Sequence, residues 1–139
     1  MRKRHEPASK RSRQPFERPD VAFLSGEGDA WFNRNYPKKN ITSHNQPLPE
    51  WIRLSFGLIR DQLQDDSKFV EIGSSWGNRT VEIRKFLDIT GFGIDPSSEA
   101  VQYGNALRFP GLEFKVGTAS RIPLEKSSVS VVFYGFCLY

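Results

Sequence analysis

Two carboxylates and a run of small residues carry the clearest chemical signal in this chain. Glu71-Ile-Gly73-Ser-Ser75-Trp-Gly77-Asn78 completes one short apolar run, and Asp95 closes the next, 18 residues after Gly77. Glycines directly after a strand let the backbone turn sharply and approach a bound molecule closely, and a following helix presents unpaired N–H groups. An acidic side chain at the strand end adds an acceptor. The carboxylate at position 95 has enough lone-pair sites to accept from both hydroxyls of a ribose. Each feature also has a plain structural reading. The glycine turn can serve strand-to-helix packing alone, and Asp95-Pro96-Ser97-Ser98 can be an Asp-Pro turn with a helix cap.

The elements that would position these groups follow from apolar periodicity. From residue 50 to 63, Ile52, Phe56, Ile59 and Leu63 fall at steps of four, three and four, one face of an amphipathic helix. Phe69-Val70-Glu71-Ile72 predicts a strand ending at Gly73. Val81, Ile83, Phe86 and Leu87 predict a helix from Asn78 to Leu87, with Gly91 as its stop. Then come a strand at 92–94, a helix at about 98–107, and strands at 112–116 and 129–133. This alternation builds a parallel sheet with helices on its faces, a doubly wound α/β half. Upstream, residues 23–35 predict a short ordered segment and residues 36–49, rich in Pro and Asn, a loop.

Composition narrows the chemistry. Of 139 residues, 37% are hydrophobic and 13% aromatic, enough for the core of one domain. No apolar run approaches the roughly 18 to 20 residues of a membrane span, and the basic N-terminus lacks the apolar stretch of a signal peptide. A cytoplasmic protein without membrane association is expected. The single Cys137 excludes an internal disulfide, and His5 and His44 offer no metal-ligand spacing. The net charge of +4 resides entirely in residues 1–20, where seven Lys/Arg meet Glu6, Glu17 and Asp20. Residues 1–22 therefore read as a basic flexible leader and residues 23–139 as the domain. The domain is not a basic surface, so a nucleic-acid partner is not expected.

In order and spacing, Phe69-Val-Glu-Ile-Gly-Ser-Ser-Trp-Gly77, Gly91-Phe-Gly-Ile-Asp-Pro-Ser97, Val116-Gly-Thr-Ala-Ser-Arg-Ile-Pro-Leu124 and Ser128-Val-Ser-Val-Val-Phe133 resemble the successive motifs of the class I S-adenosylmethionine-dependent methyltransferases. The resemblance covers roughly residues 50–139. It implies a Rossmann-like α/β fold with strand order 3-2-1-4 and S-adenosyl-L-methionine as cofactor. By matching position, Glu71 is the acidic residue opening the glycine-rich motif, Gly73 and Gly77 lie beside the methionine part, with Ser75 between them, and Asp95 holds the ribose. Thr118 and Ala119 flank the adenine, and Phe133 and Tyr134 close the fourth strand near the transferred methyl. The segment Gly26-Glu-Gly-Asp-Ala-Trp-Phe-Asn-Arg-Asn35 further resembles the opening of methyltransferases of pseudaminic acid and similar sugar pathways, which implies a small-molecule, sugar-related acceptor. Trp31 and Phe32 can also simply cover the cofactor cleft.

Three departures stand out. Ser75 replaces the middle glycine, Thr118 an acid, and Ser130 an aspartate. Ser75 is tolerable at negative φ and strained in the left-handed region, and together with Thr118 it predicts weaker cofactor affinity. The family's sheet continues beyond a fourth strand, whereas this chain ends just past its fourth, so a truncated homologue is expected. Val131, Val132, Phe133, Tyr134, Phe136 and Leu138 would form an apolar edge prone to self-association. No catalytic base is legible; Glu27, Asp29 and His44 are candidates by chemistry only. The alternatives are an inactive fragment acting as an interaction module or without function, and an NAD-dependent oxidoreductase, whose glycine fingerprint survives here only at its first position.

Overall fold

The computed structural model describes residues 19–37 and 46–135. Residues 1–18 of the expected leader, His5, His44, Phe136, Cys137 and Leu138 lie outside the described residues. An N-terminal helical segment comprises α1 (Pro19–Ala22), a π-helical turn (Phe23–Glu27) kinked at Gly26, where φ is 139°, and α2 (Gly28–Asn35). The four residues of α1, counted with the leader from sequence, are thus helical. Then follow α3 (Glu50–Arg60), β1 (Lys68–Ile72), α4 (Asn78–Leu87), β2 (Thr90–Asp95), α5 (Ser98–Ala106), β3 (Leu112–Val116) and β4 (Val131–Tyr134). All four strands are parallel, in the order β3-β2-β1-β4.

Strand β1 is buried on both faces after its first residue, as expected for a central parallel strand. On one face Phe69 joins Ile52 and Phe56 of α3 and Ile83 and Leu87 of α4 in the largest apolar cluster. Phe114 of β3 shares this face, as its register with Gly93 and Glu71 requires, and there α5 binds β3: the Asn105 side chain donates to the Phe114 carbonyl and accepts its N–H. On the opposite face Val70, Ile72 and Ile94 pack under Phe92, Ile122, Leu124 and Val129. That face is covered by the irregular segment of turns and bends between β3 and β4. No helix among the described residues is long and apolar enough to cross a membrane.

Several boundaries differ from the periodicity: β2 runs Thr90–Asp95 where 92–94 is expected, and β4 runs Val131–Tyr134 where 129–133 is expected. Helix α3 ends at Arg60, yet Leu63 still packs on the core beyond it, so the stripe continues after the helical hydrogen bonds have stopped. Gly91 does not stop α4. The stop is Asp88, left-handed at φ 57°, whose N–H donates to the Arg84 carbonyl; a short polar side chain tolerates that conformation. Gly91 lies inside β2, where a Cβ would fall 2.6 Å from Phe69 Cζ. Its missing side chain makes room for a core ring.

Gly91→Ala is therefore expected to cost on the order of 1 to 3 kcal/mol through overpacking, whereas Asp88→Gly leaves stability unchanged or higher. Urea denaturation midpoints of the two variants check the contrast, and equal midpoints would refute it.

Candidate functional site

The loop after β1 is tied to the tip of β2 by three backbone donors. The N–H groups of Gly73 and Ser74 donate to the Ile94 carbonyl at 2.8 and 3.1 Å, and the Ser75 N–H donates to Asp95 Oδ2 at 2.7 Å. Asp95 Oδ1 accepts the Ser97 N–H at 2.9 Å. One carboxylate thus holds both strand-end turns. Gly77 then starts α4 in the left-handed region, φ 95°, where a side chain would run into the Phe114 ring. Ser75 is left-handed as well, at φ 50°, and its buried hydroxyl has no hydrogen-bond partner. The strained alternative raised by its sequence is the one adopted.

The N-terminal helices lie across these strand tips. Asp29 of α2 accepts from the Ser97 hydroxyl at 2.7 Å, the Ser98 hydroxyl at 3.0 Å and the Glu99 N–H at 3.0 Å, so it caps α5 from another element. Ser97 in turn accepts the Ala100 N–H as N-cap of α5. The close approach of Gly28 to the Pro96 and Ser97 backbone seats α2 on this turn, and the Ser120 hydroxyl donates to Asp20 at 2.7 Å. Trp76 sits beneath, edge-on to Tyr36 and Tyr103 and packed with Phe32.

Between the cover and the strand tips is a cavity of about 450 Å³. Gly73, Ser74, Ser75, Asn78, Asp95, Pro96 and Gly135 line it on the strand-tip side; Arg79, Phe23, Gly28, Trp31, Tyr36 and residues 46–49 line the rest. Of the residues expected from sequence, Gly73, Ser75 and Asp95 meet here. Glu71 does not line the cavity. It is fully buried behind it, its oxygens accepting from Arg79 Nε and from the Thr80 hydroxyl at 2.6 Å. Gly77 serves the turn and Phe114 packing. Thr118 is buried, bonded to the Ser120 hydroxyl and bridged to Arg121, while Ala119 is exposed; neither lines the cavity. Phe133 faces Trp51 and Phe56 in the core, and Tyr134 points to the opposite side, half-exposed.

Charge at the site is set mainly by burial. Desolvation pushes the Asp95 carboxyl above its usual range, the Ser97 and Ser75 N–H groups oppose this, and the Asp29 charge adds to it. Desolvation also raises Glu71, against the attraction of Arg79 and the hydrogen bonds from Thr80 and Arg79. At Asp29 burial acts upward but is outweighed by the donors Glu99, Ser97 and Ser98, which hold it below the ordinary value. Asp29 is thus a cap, and Glu27 is exposed and paired with Arg34 at 2.6 Å. Sequence reasoning passed over Arg79, Tyr36 and Leu48. Arg79 had a signal: it stands in the first turn of α4, where long side chains lean back toward the preceding strand tip.

No family model matches the sequence, and no curated protein matches it. Solved structures do. A protein of Galdieria sulphuraria assigned as a sarcosine dimethylglycine methyltransferase matches 81% of this chain and 48% of its own length, at TM-score 0.55 and 12% identity. A protein of Haloferax volcanii assigned as a methyltransferase, solved with the Trm112 methyltransferase activator, matches 80% of this chain and 46% of its own, at TM-score 0.51 and 26% identity. The geranyl diphosphate C-methyltransferase of Streptomyces coelicolor A3(2), in complex with Mg2+, geranyl diphosphate and S-adenosyl-L-homocysteine, matches 63% and 34%, at TM-score 0.51 and 18% identity. The chain spans 34% to 48% of the length of these three proteins. Its fold is that of the class I S-adenosylmethionine-dependent methyltransferases.

Because Ser75 holds a left-handed conformation, Ser75→Gly is expected to raise stability by about 1 kcal/mol. A higher melting temperature in calorimetry is the readout; an unchanged or lower one would show that the strain is not stored there.

Proposed function

We propose that the chain binds S-adenosyl-L-methionine in the cavity over β1 and β2 and forms the cofactor-binding part of a methyltransferase acting on a small-molecule acceptor. The observation that carries this reading is the pairing of the Asp95 carboxylate with the partnerless Ser75 hydroxyl in one cavity floor. A buried polar atom without a partner is costly unless a ligand or water satisfies it, and an adenosyl group brings hydroxyls and ring nitrogens to such a place. The residues present therefore fit the cofactor.

In this reading Asp95 accepts the ribose hydroxyls, and Gly73 lets the backbone approach the methionine part. Glu71 acts through Arg79 and Thr80 and makes no direct contact. Thr118 and Ala119, two and three residues beyond β3, do not line this cavity, so an adenine that they flank would lie past its edge, over the β3 tip. The bound cofactor supplies a sulfonium methyl for a nucleophile on the acceptor. The protein contributes orientation and a site from which Trp31, Tyr36 and Leu48 exclude water. Trp31, 40% exposed in the cavity wall, offers a flat face on which a sugar-related acceptor can stack.

A second reading concerns β4. Among the described residues its outer side pairs with no strand, and Val132 and Tyr134 are exposed at 47% and 43%. Such an edge supports self-association by strand pairing.

Isothermal titration should show S-adenosyl-L-methionine binding that Asp95→Asn weakens about tenfold or more. No heat and no thermal shift at saturating ligand would remove the proposal. The pH dependence has a definite sign. Hydroxyl donors favour the ionised carboxylate, and Asp95 in the free protein titrates above its usual range, so affinity is full above that raised value and falls as pH drops through it. Asp95→Asn abolishes this limb. For the second reading, sedimentation velocity should detect dimers at rising concentration that Val132→Lys disperses; a monomer throughout would discard it.

A further inference from the structure

Helix α3 is apolar on more than the face it buries. Ile52 and Phe56 enter the core, yet Trp51, Leu54 and Leu58 leave 54%, 65% and 79% of their surface exposed. Spaced three and four residues apart, they form a second stripe along one side of the helix. Its flanks fix where that stripe points. Arg60 lies over the Phe86 ring of α4, 5.5 Å from its centre, so the side bearing Arg60, and Arg53 about two turns before it, faces α4. The Trp51 ring lies 6.3 Å from the Phe133 ring of β4, so the stripe that starts at Trp51 leans over the sheet edge. Val132 and Tyr134, exposed on the other face of β4, continue the apolar surface around that edge.

An apolar helix side exposed beside an open strand has a self-complementary solution. Antiparallel pairing of two β4 strands places a two-fold axis perpendicular to the sheet, midway between them. Such an axis keeps the helix-covered faces of both copies on the same side, so each α3 meets the other across the joint. The spacing suits contact. Helix α3 packs on Phe69 of β1 and, through Phe56, on Phe133 of β4 at 5.5 Å between ring centres. Its axis therefore lies about half an inter-strand spacing inside β4, and the two-fold axis lies about half a spacing outside. The two helices then stand two spacings apart, about 10 Å, which is the ordinary distance between packed helices. Area agrees. The exposed parts of these five side chains come to on the order of 500 Å² per copy, a patch of the size that marks an interaction site. A symmetric pair buries about 1,000 Å², the least that a specific interface needs. A lipid surface would instead ask for basic residues bordering the stripe, and the arginines of α3 are on the α4 flank.

We propose that Trp51, Leu54 and Leu58 form the helical half of a symmetric dimer interface, packing against the same stripe of a second copy when two β4 edges pair. This inference rests on the self-association reading of β4 and adds to it a helix pair that fixes the pairing as antiparallel and closes the association at two copies.

Sedimentation velocity on the full chain at rising concentration, with far-UV circular dichroism as the check on folding, separates the two contributions. The native protein should form a dimer and stop there. Leu54→Glu and Leu58→Glu, at positions more than half exposed, should each keep the native spectrum and raise the dimer dissociation constant about tenfold or more. Arg53→Glu, on the α4 flank, should leave dimerisation unchanged. A dimer that Val132→Lys disperses but that withstands both α3 glutamates would overturn this inference and leave the β4 reading standing. Equal weakening by Arg53→Glu would overturn it too, as a mere effect of added negative charge, and so would polymers beyond the dimer. Flotation with anionic phospholipid vesicles in place of dimerisation would assign the stripe to a lipid surface and overturn the pairing. A native monomer at every concentration would overturn both readings.

Discussion

The site depends on one carboxylate that does three jobs. Asp95 accepts backbone N–H groups from the β1–α4 loop and from the turn into α5, and it also forms part of the cavity floor. Without an acceptor at the β2 tip, the Ser75 and Ser97 N–H groups would lose partners in a half-buried place, where each unmet donor carries a desolvation penalty. The loop would then have no reason to hold the left-handed backbone at Ser75. Local strain, loop position and the charge lining the cavity are coupled through that side chain.

A second layer of acids and hydroxyls supports it. Asp29 reaches from α2 to Ser97, Ser98 and Glu99, so the N-terminal helices cover the cavity by capping the helix that follows Asp95. Glu71 sits deeper, where burial would disfavour its charge were it not for Arg79 and Thr80. The three acids differ in environment, and this separates their roles. Asp29, rich in donors and only partly buried, is a stable anion suited to capping. Glu71 anchors a cation. Asp95 is the one of the three that lines the cavity.

Packing explains why small residues recur around the site. The Phe69 ring occupies the volume beside Gly91, and the Phe114 ring lies against Gly77, at the start of α4. These rings bring β1, β2 and β3 together with α4 and α5 closely enough for the strand tips to share one cavity. The opposite face of the sheet relies on Ile122, Leu124 and Val129 from an irregular segment of turns and bends, and Val132 and Tyr134 stay exposed.

Much of the fold was legible in linear order. Apolar periodicity located α4 at Asn78–Leu87 and β3 at Leu112–Val116 with the boundaries observed, because the period of an amphipathic element is imposed by the single face it buries. The Gly-rich turn and Asp95 were legible as neighbours because strand-end loops of a parallel sheet lie on one side. What the chain alone left open were contacts across elements. Whether Gly91 ends a helix or admits the Phe69 ring depends on a strand 20 or so residues away in sequence, and on the close packing of interiors. Whether Ser75 is strained depends on the pull of Asp95 on its N–H. Whether Glu71 meets a ligand or a guanidinium depends on where α4 sets Arg79. Residue type and spacing determined which elements form and which end of the sheet carries the chemistry; tertiary packing alone decided which side chains reach the cavity, because that choice is made by steric volume and hydrogen-bond partners that come from distant parts of the chain.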